Sequence, residues 1–223
     1  MSTSPKSIVL LLGGTGKIAS RIAPFLSAAG YTTLLASRSG TSQSSLNNCH
    51  AVKFDWFDSS TWSPIFTSHP ISTLFIMAPP ILDCVPLMKS LIDLALQHHV
   101  KRLVLLSASL MEVGDGPNFS EVSGYIAGLG VEWAVLRPTW FMENFSEQQY
   151  LPSIRDEDKI LTATGEGRVP FVSAEDIADV AYRALVDEKS HDTDHLILGP
   201  ELFSYDEVSS LPPLVDSGLT YQT

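Results

Sequence analysis

The apolar positions of this chain fall into two alternating periods. Mostly apolar runs of strand length occupy Ile8–Leu12, Thr32–Ala36, Thr73–Met77, Arg102–Leu106 and Glu132–Leu136. A strand covered on both faces reads in this way, without alternation. Between the runs lie segments with apolar residues three and four apart, such as Ile18, Ile22, Phe25 and Leu26, or Leu87, Leu91, Leu94 and Ala95 within Pro86–His98. That spacing lines one face of a helix. Weaker runs predict further strands at Ala51–Phe54 and His195–Leu198. Further helices are predicted from Asp58 or Ser59 to Phe66, from Phe119 to Leu129, up to about Tyr150, and from Ser173 through Leu185. The segment Ile160–Val172 is predicted to form a hairpin around Gly165 and Gly167, and Ser204–Glu207 has the spacing of a capping box. Pro212-Pro213 would break the helix it opens. Strands alternating with helices predict an α/β protein with a doubly wound, mostly parallel sheet. No internal repeat and no second domain is visible, so one domain is expected over 1–223.

The stretch joining the first strand to the first helix carries the chemistry. It reads Gly13-Gly14-Thr15-Gly16, with Ala19 at the third position of the spacing. Strand, glycine turn, helix and strand in this order make a dinucleotide-binding unit of Rossmann type. Gly13 allows the tight turn, Gly16 lets backbone approach a pyrophosphate, and Ala19 is small enough for close helix–strand packing. The helix start then offers its N–H groups and dipole to the phosphates. The second strand ends in Ser37-Arg38, where an NAD site usually carries a carboxylate for the ribose hydroxyl. A carboxylate would repel a 2′-phosphate, whereas a guanidinium grips it through parallel hydrogen bonds. NADP(H) is therefore the expected cofactor.

Composition narrows the partners. Fourteen basic against 25 acidic residues leave a net charge of −11, which argues against nucleic acid and anionic membranes as general partners. The local cluster of Lys17, Arg21 and Arg38 still suits one phosphorylated small molecule. The two cysteines, Cys49 and Cys84, read as reduced thiols in a cytoplasmic protein, and no signal peptide or membrane-length apolar run is seen. The six histidines show no zinc-like spacing, so no metal is expected. A small-molecule substrate is the expected partner, and a homodimer is left open.

In an open α/β sheet the ligand sits at the carboxyl ends of the strands. Asp55-Trp56 follows the third strand and either flanks the adenine or forms a cap and a buried aromatic. Met77, Ala78, Pro79 and Pro80 end the fourth strand and would lie over the ribose and phosphates. Ser107, Ala108 and Ser109 close the fifth, on the nicotinamide side. Tyr125 lies on the helix that follows. Trp140, Phe141 and Phe145, beyond the sixth strand, either stack on an aromatic cationic substrate or are plain core.

The stretches LLLGGTGKIASRI at 10–22, LLASR at 34–38, LLSAS at 105–109, VEWAVLRPTWFMENFSE at 131–147 and ILGPELFSYDEV at 197–208 resemble one family. It is the NmrA-like branch of the atypical short-chain dehydrogenases, and within it the fungal ergot-alkaloid reductases of the festuclavine and agroclavine dehydrogenase type. The resemblance implies an NADPH-binding Rossmann fold and reduction of an imine or iminium in specialised metabolism. By motif position it implies cofactor contacts at Gly13, Gly14, Thr15, Gly16, Lys17, Ile18, Arg38, Ser107–Ser109, Pro138, Thr139 and Phe141, and a substrate-side place for Asn144.

The chain departs from that family in two places. Relatives commonly carry a histidine near Ser123 and an acid at Gly124, and the residue four beyond Tyr125 is Leu129, so the Tyr–Lys pair of ordinary short-chain dehydrogenases is absent. Relatives also continue past residue 209, so a reduced C-terminal substrate lobe is expected. Tyr125 and Ser109 remain the candidate catalytic residues. Ketone reduction needs a proton donor and iminium reduction does not, which favours a C=N or conjugated C=C substrate. Glu112, Asp115, Glu121 and Glu143 are candidates to stabilise its charge, or else solvated surface acids. A non-redox cyclase or isomerase on an NADP(H) scaffold and an NADP-sensing regulatory protein are the alternatives.

Overall fold

The computed structural model describes residues 7–41, 44–114, 116–147 and 149–210. Seven strands, β1 (Ile8–Leu12), β2 (Thr32–Ser37), β3 (Cys49–Lys53), β4 (Ile71–Met77), β5 (Arg102–Leu106), β6 (Glu132–Pro138) and β7 (Thr193–Ile197), form one sheet in the order β3-β2-β1-β4-β5-β6-β7. Every pair is parallel. The order reverses between β1 and β4, so the point where a doubly wound sheet binds its ligand lies beyond the carboxyl ends of these two strands. The doubly wound expectation holds, and the sheet is parallel throughout.

The central strands are apolar because both their faces are covered. Leu10, Leu11, Leu12, Leu74, Phe75 and Ile76 are each at most 1% exposed, and each such side chain contributes about 1.5–3 kcal/mol through burial. The edge strands explain the boundary errors of the sequence reading. β3 is CHAVK with no fully buried residue, and β7 is TDHLI with Leu196 half exposed. An edge strand needs little apolar surface, so its hydrophobic signal is faint and its ends are hard to read.

The crossovers are α1 (Lys17–Ala28), a short 3-10 turn capped by Asp58 followed by α2 (Ser63–Ser68), α3 (Val85–Gln97) and α4 (Phe119–Ala127). Two short helices follow β6, namely α5 (Glu143–Ser146) and α6 (Leu151–Glu157), then α7 (Ala174–Val186) and α8 (Tyr205–Ser209). The side chain of Arg102 is buried and held by several partners. It pairs with Glu132 at 2.7 Å and donates to the Leu185 and Asp187 carbonyls at 3.1 and 2.8 Å, closing the end of α7 with a positive charge. Beside it, His191 and His195 share a hydrogen bond of 2.8 Å, and burial pushes His195 below the ordinary histidine value.

The chain groups into two compact units. One holds the residues up to Pro138 together with Glu175–Ile197, and therefore the whole sheet; the other holds Thr139–Ala174 and the residues from Leu198 onward. The second unit has an aromatic centre of its own, in which Phe145, Tyr150, Phe171 and Tyr205 pack at centroid distances of 5.3–5.9 Å. The hairpin expected over Ile160–Val172 does not form. A turn exists at Gly165, but Val172 bridges to Phe141 and Val169 bridges to Phe203. Burying Phe171 among the other rings draws this segment to distant partners in place of its own turn. The helix expected to run to about Tyr150 stops at Ser146, and a second short helix, α6, begins at Leu151. The capping box at Ser204 and Glu207 is present. Pro212-Pro213 and Asp115 lie outside the described residues.

Candidate functional site

The glycine turn has the geometry that the spacing predicts. Gly13 takes φ +66°, and the Gly16 N–H closes the turn on the Gly13 carbonyl at 2.7 Å. Gly16 caps α1 without any side-chain hydrogen bond, and no acidic residue stands in the first turn. The helix start therefore presents backbone donors where an anion would sit. Ile18 is buried and would reach a cofactor only through its backbone, while Thr15 is exposed and Lys17 half-buried. The sequence reading missed the part played by Gly14. Its N–H donates to the Ala36 carbonyl at 2.8 Å, and a Cβ there would lie 2.7 Å from the Leu35 backbone. Gly14 is thus where the loop is pressed against β2. The doubled glycine was the available signal.

The neighbouring strand ends close around this turn. Met77 lies directly over Gly13, with its Cε 2.1 Å from where a Cβ would be built. The Met77 carbonyl accepts from Trp56 Nε1 at 3.2 Å, and Trp56 packs edge-on against Phe54 and Trp62. Asp55 uses one carboxylate oxygen to accept from the Phe57 N–H at 2.9 Å and its carbonyl to accept from Trp62. Asp55 therefore closes a local turn, the helix cap falls to Asp58, and the half-buried Trp56 joins an aromatic cluster. Ala78 is half-buried and Pro79 buried where the chain leaves β4. At the end of β2, Ser37 spends its hydroxyl on the Thr41 carbonyl. Arg38 is exposed and makes no ion pair or hydrogen bond among the described residues. Arg21, by contrast, is paired with Glu175 at 3.6 Å.

The far side of the edge is built by β5 and β6. Ser107 is 8% exposed, and its Oγ has no hydrogen-bond partner among the described residues. A buried hydroxyl left without a partner costs about 1–3 kcal/mol, so this atom fits a place where a bound molecule supplies the acceptor or donor. Ser109 is half-buried, and its backbone is tied to Pro138 and to Arg137. Three large apolar side chains, Phe57, Leu82 and Leu110, stand 61%, 89% and 90% exposed on the segments that leave β3, β4 and β5. They give the rim of this edge an apolar character that suits a hydrophobic ligand.

Tyr125 is not at this edge. Its hydroxyl donates to Asp93, which lies eight residues into α3, about 12 Å along the helix axis from Val85. Lys89 stands over its ring at 5.0 Å. The Asp93 carboxylate holds the phenol above the ordinary tyrosine value. The helical phase of α4 turns Val122, Ser123 and Ile126 inward and leaves Tyr125 facing α3. We expect Tyr125→Phe to leave kcat within about twofold of the wild type and stability within about 1 kcal/mol, because the lost hydrogen bond is solvent-exposed. Steady-state kinetics and urea unfolding measure the two. Ser123 donates to the Ser120 carbonyl at 2.9 Å, and a Cβ on Gly124 would meet the Gly114 backbone at 2.6 Å. An acid at position 124 therefore has no room in this chain.

The acids are also redistributed. Glu121 pairs with Lys89 at 2.8 Å, and Glu143 accepts from the Ala174 N–H at 2.8 Å, so neither is free to face a substrate. Glu112 is exposed. In the second unit the Thr139 hydroxyl donates to Pro170, Phe141 is half-buried beside Val172, Asn144 is buried and Trp140 is 45% exposed. Phe145 belongs to the aromatic centre of that unit, which settles its reading as core. Among the described residues no group of three or more His, Cys, Asp or Glu side chains is placed to hold a metal ion, and no helix is long and apolar enough to cross a membrane.

Residues 13–188 match the model of a family described as NAD(P)H-binding. The chain belongs to the NAD(P)H-binding family. Its relatives in that family bear out the resemblance read from the motifs. It is 43% identical over 210 residues to festuclavine synthase I of Penicillium roqueforti, covering 91% of this chain and 72% of that one. It is 42% identical over 214 residues to agroclavine dehydrogenase of Claviceps fusiformis, covering 91% and 71%. These kinships set it among the oxidoreductases. In fold it is similar to the Citrobacter sp. triphenylmethane reductase solved with NADP(H), with a TM-score of 0.72, 20% identity, and coverage of 91% of this chain and 73% of that one.

Proposed function

We propose that this protein is an NADPH-dependent reductase of an imine or iminium, or of a C=C bond conjugated to one, in an alkaloid-like specialised metabolite. The observation that carries this reading is the missing proton donor on α4. Tyr125 is bound to Asp93 on the flank of the sheet, and Ser123 is bound to the carbonyl one turn before it. An iminium carries its charge before reduction and yields a neutral amine, so it needs no proton in the transition state. A ketone would need one. The names of the relatives, festuclavine synthase and agroclavine dehydrogenase, support a related substrate class.

The residues divide the work by position. Gly13, Gly16 and the first turn of α1 would hold the pyrophosphate, with Thr15, Lys17 and Ile18 along it. Arg38 would grip the 2′-phosphate, and Asp55, Trp56, Met77, Ala78 and Pro79 would line the adenosine side. Ser107 would supply its unpartnered hydroxyl to the nicotinamide end, with Ala108, Pro138, Thr139 and Phe141. When bound, the reduced nicotinamide supplies a hydride to an electrophilic carbon. Ser109 would orient that carbon, and Trp140 and Asn144 would bind the remainder of the substrate. The exposed apolar side chains Leu82 and Leu110 would help to exclude water from the reacting face once a substrate covers them.

The test uses NADPH deuterated at the transferable position and a cyclic N-methyl dihydroisoquinolinium salt as probe. We expect one deuteron in the amine product for each NADPH consumed, with no turnover of the corresponding ketone. Product formed without loss of nicotinamide absorbance would instead indicate a cyclase or isomerase. Tight NADP(H) binding with no turnover of any small molecule, together with a copurifying protein, would indicate a sensor.

A further inference from the structure

Arg137 has no part in the proposed cofactor and substrate contacts, yet its charge is engaged on two sides at the carboxyl edge of the sheet. Its side chain is only 12% exposed. One guanidinium nitrogen, Nη1, pairs with Asp194 of β7, and Nη2 donates to the Ser109 carbonyl at 2.8 Å. The Ser109 N–H in turn donates to the Pro138 carbonyl at 3.0 Å, and the Ser107 N–H to the Leu136 carbonyl at 2.7 Å. The segment Ser107–Ser109 has left the regular strand, so these bonds are what holds it. Only one of them comes from a side chain, and that side chain is anchored on the next strand but one.

The same place is unsatisfied in another respect. Among the described residues, three buried side-chain polar atoms have no hydrogen-bond partner, and two of them are Ser107 Oγ and Arg137 Nε. Leu106 pairs with Leu136 in the β5–β6 register, so Ser107 and Arg137 come next to each other across the two strands. Partners at matched positions of a parallel pair project from the same face of a sheet. The β5–β6 edge thus carries two unmet polar atoms at neighbouring register positions while a charged pair fixes the backbone at Ser109.

We propose that Arg137 and Asp194 act as a positioning pair that pins the Ser107–Ser109 segment from β7 and so sets the nicotinamide end of the cofactor site. The pair touches neither cofactor nor substrate in this role; it acts through the Ser109 carbonyl. A planar fork can hold a carboxylate and a carbonyl at once, which a lysine ammonium on a flexible stem does poorly. Arg137→Lys should therefore keep the charge and lose the pin. This inference rests on the reading of that edge as the nicotinamide side.

The experiment compares wild type, Arg137→Lys and Asp194→Asn by hydrogen exchange without cofactor and by the fluorescence of bound NADPH. In Arg137→Lys the amides of residues 107–110 should exchange about tenfold faster while those of α1 keep their wild-type rates, as expected for a local opening. NADPH affinity should stay within about threefold, since the phosphates carry most of it, while the emission of the bound nicotinamide falls towards that of free NADPH. Asp194→Asn should change both in the same direction, and it decides the matter if Arg137→Lys does not fold. Unchanged exchange at 107–110, or an equal rise across the whole sheet, overturns the proposal. If the wild-type protein binds no NADP(H), the cofactor reading fails, and the exchange comparison still decides whether the pin exists.

Discussion

Exchanging Arg38 for glutamate should weaken NADPH binding by about 100-fold and leave NADH binding within about threefold, because a charge-assisted pair worth about 1.5–3 kcal/mol is replaced by repulsion. The size of the effect comes from the isolation of this side chain. Arg38 is exposed at the end of β2 and is not spent on any ion pair or hydrogen bond among the described residues. Its neighbour Ser37 cannot substitute, since its hydroxyl is occupied by the Thr41 carbonyl. Isothermal titration with both reduced cofactors measures the ratio. Equal losses for NADPH and NADH would remove the 2′-phosphate assignment. NADH binding should depend less on salt than NADPH binding, which supplies an internal control, because a missing 2′-phosphate leaves less charge to screen.

The second large effect is expected at Gly14. A Cβ at Gly14 would lie 2.7–2.8 Å from the Leu35 carbonyl carbon, Cα and Cβ, and two of these are backbone atoms of a central strand. They cannot turn aside as a side chain does. Gly14→Ala should destabilise the protein by about 3 kcal/mol, the upper range for overpacking, and lower Tm by roughly 6–12 °C. Gly13 makes the contrast. Its Cβ would meet only the flexible end of Met77, so Gly13→Ala should cost about 1–2 kcal/mol, mainly from the positive φ. Thermal unfolding of both variants tests the order. If Gly13→Ala proves the more damaging, then β2 yields more easily than its burial implies.

The two effects illustrate how differently the parts of the site can be read. The glycine turn was legible because its geometry is local: a tight turn and a helix start are both set within a few positions. The part played by Gly14 depends on Leu35, 21 residues away, and only packing reveals it. The surroundings of Tyr125 were illegible for a related reason. Its identity fits a proton donor, but the rotation of α4 brings its hydroxyl to Asp93 on another helix. The acids Glu121 and Glu143 likewise look available in the sequence and are occupied in space.

The sequence alone determined the alternation of strands and helices, the parallel sheet and the dinucleotide turn. Each of these follows from periodicity and from the backbone freedom of particular glycines, which act over short distances along the chain. Tertiary structure alone decided where Ile160–Val172 pairs, which polar groups remain without partners at the β5–β6 edge, and that Arg137 reaches from Ser109 to Asp194. These outcomes depend on side chains from distant segments competing for the same space and the same hydrogen bonds, and no local pattern records who wins.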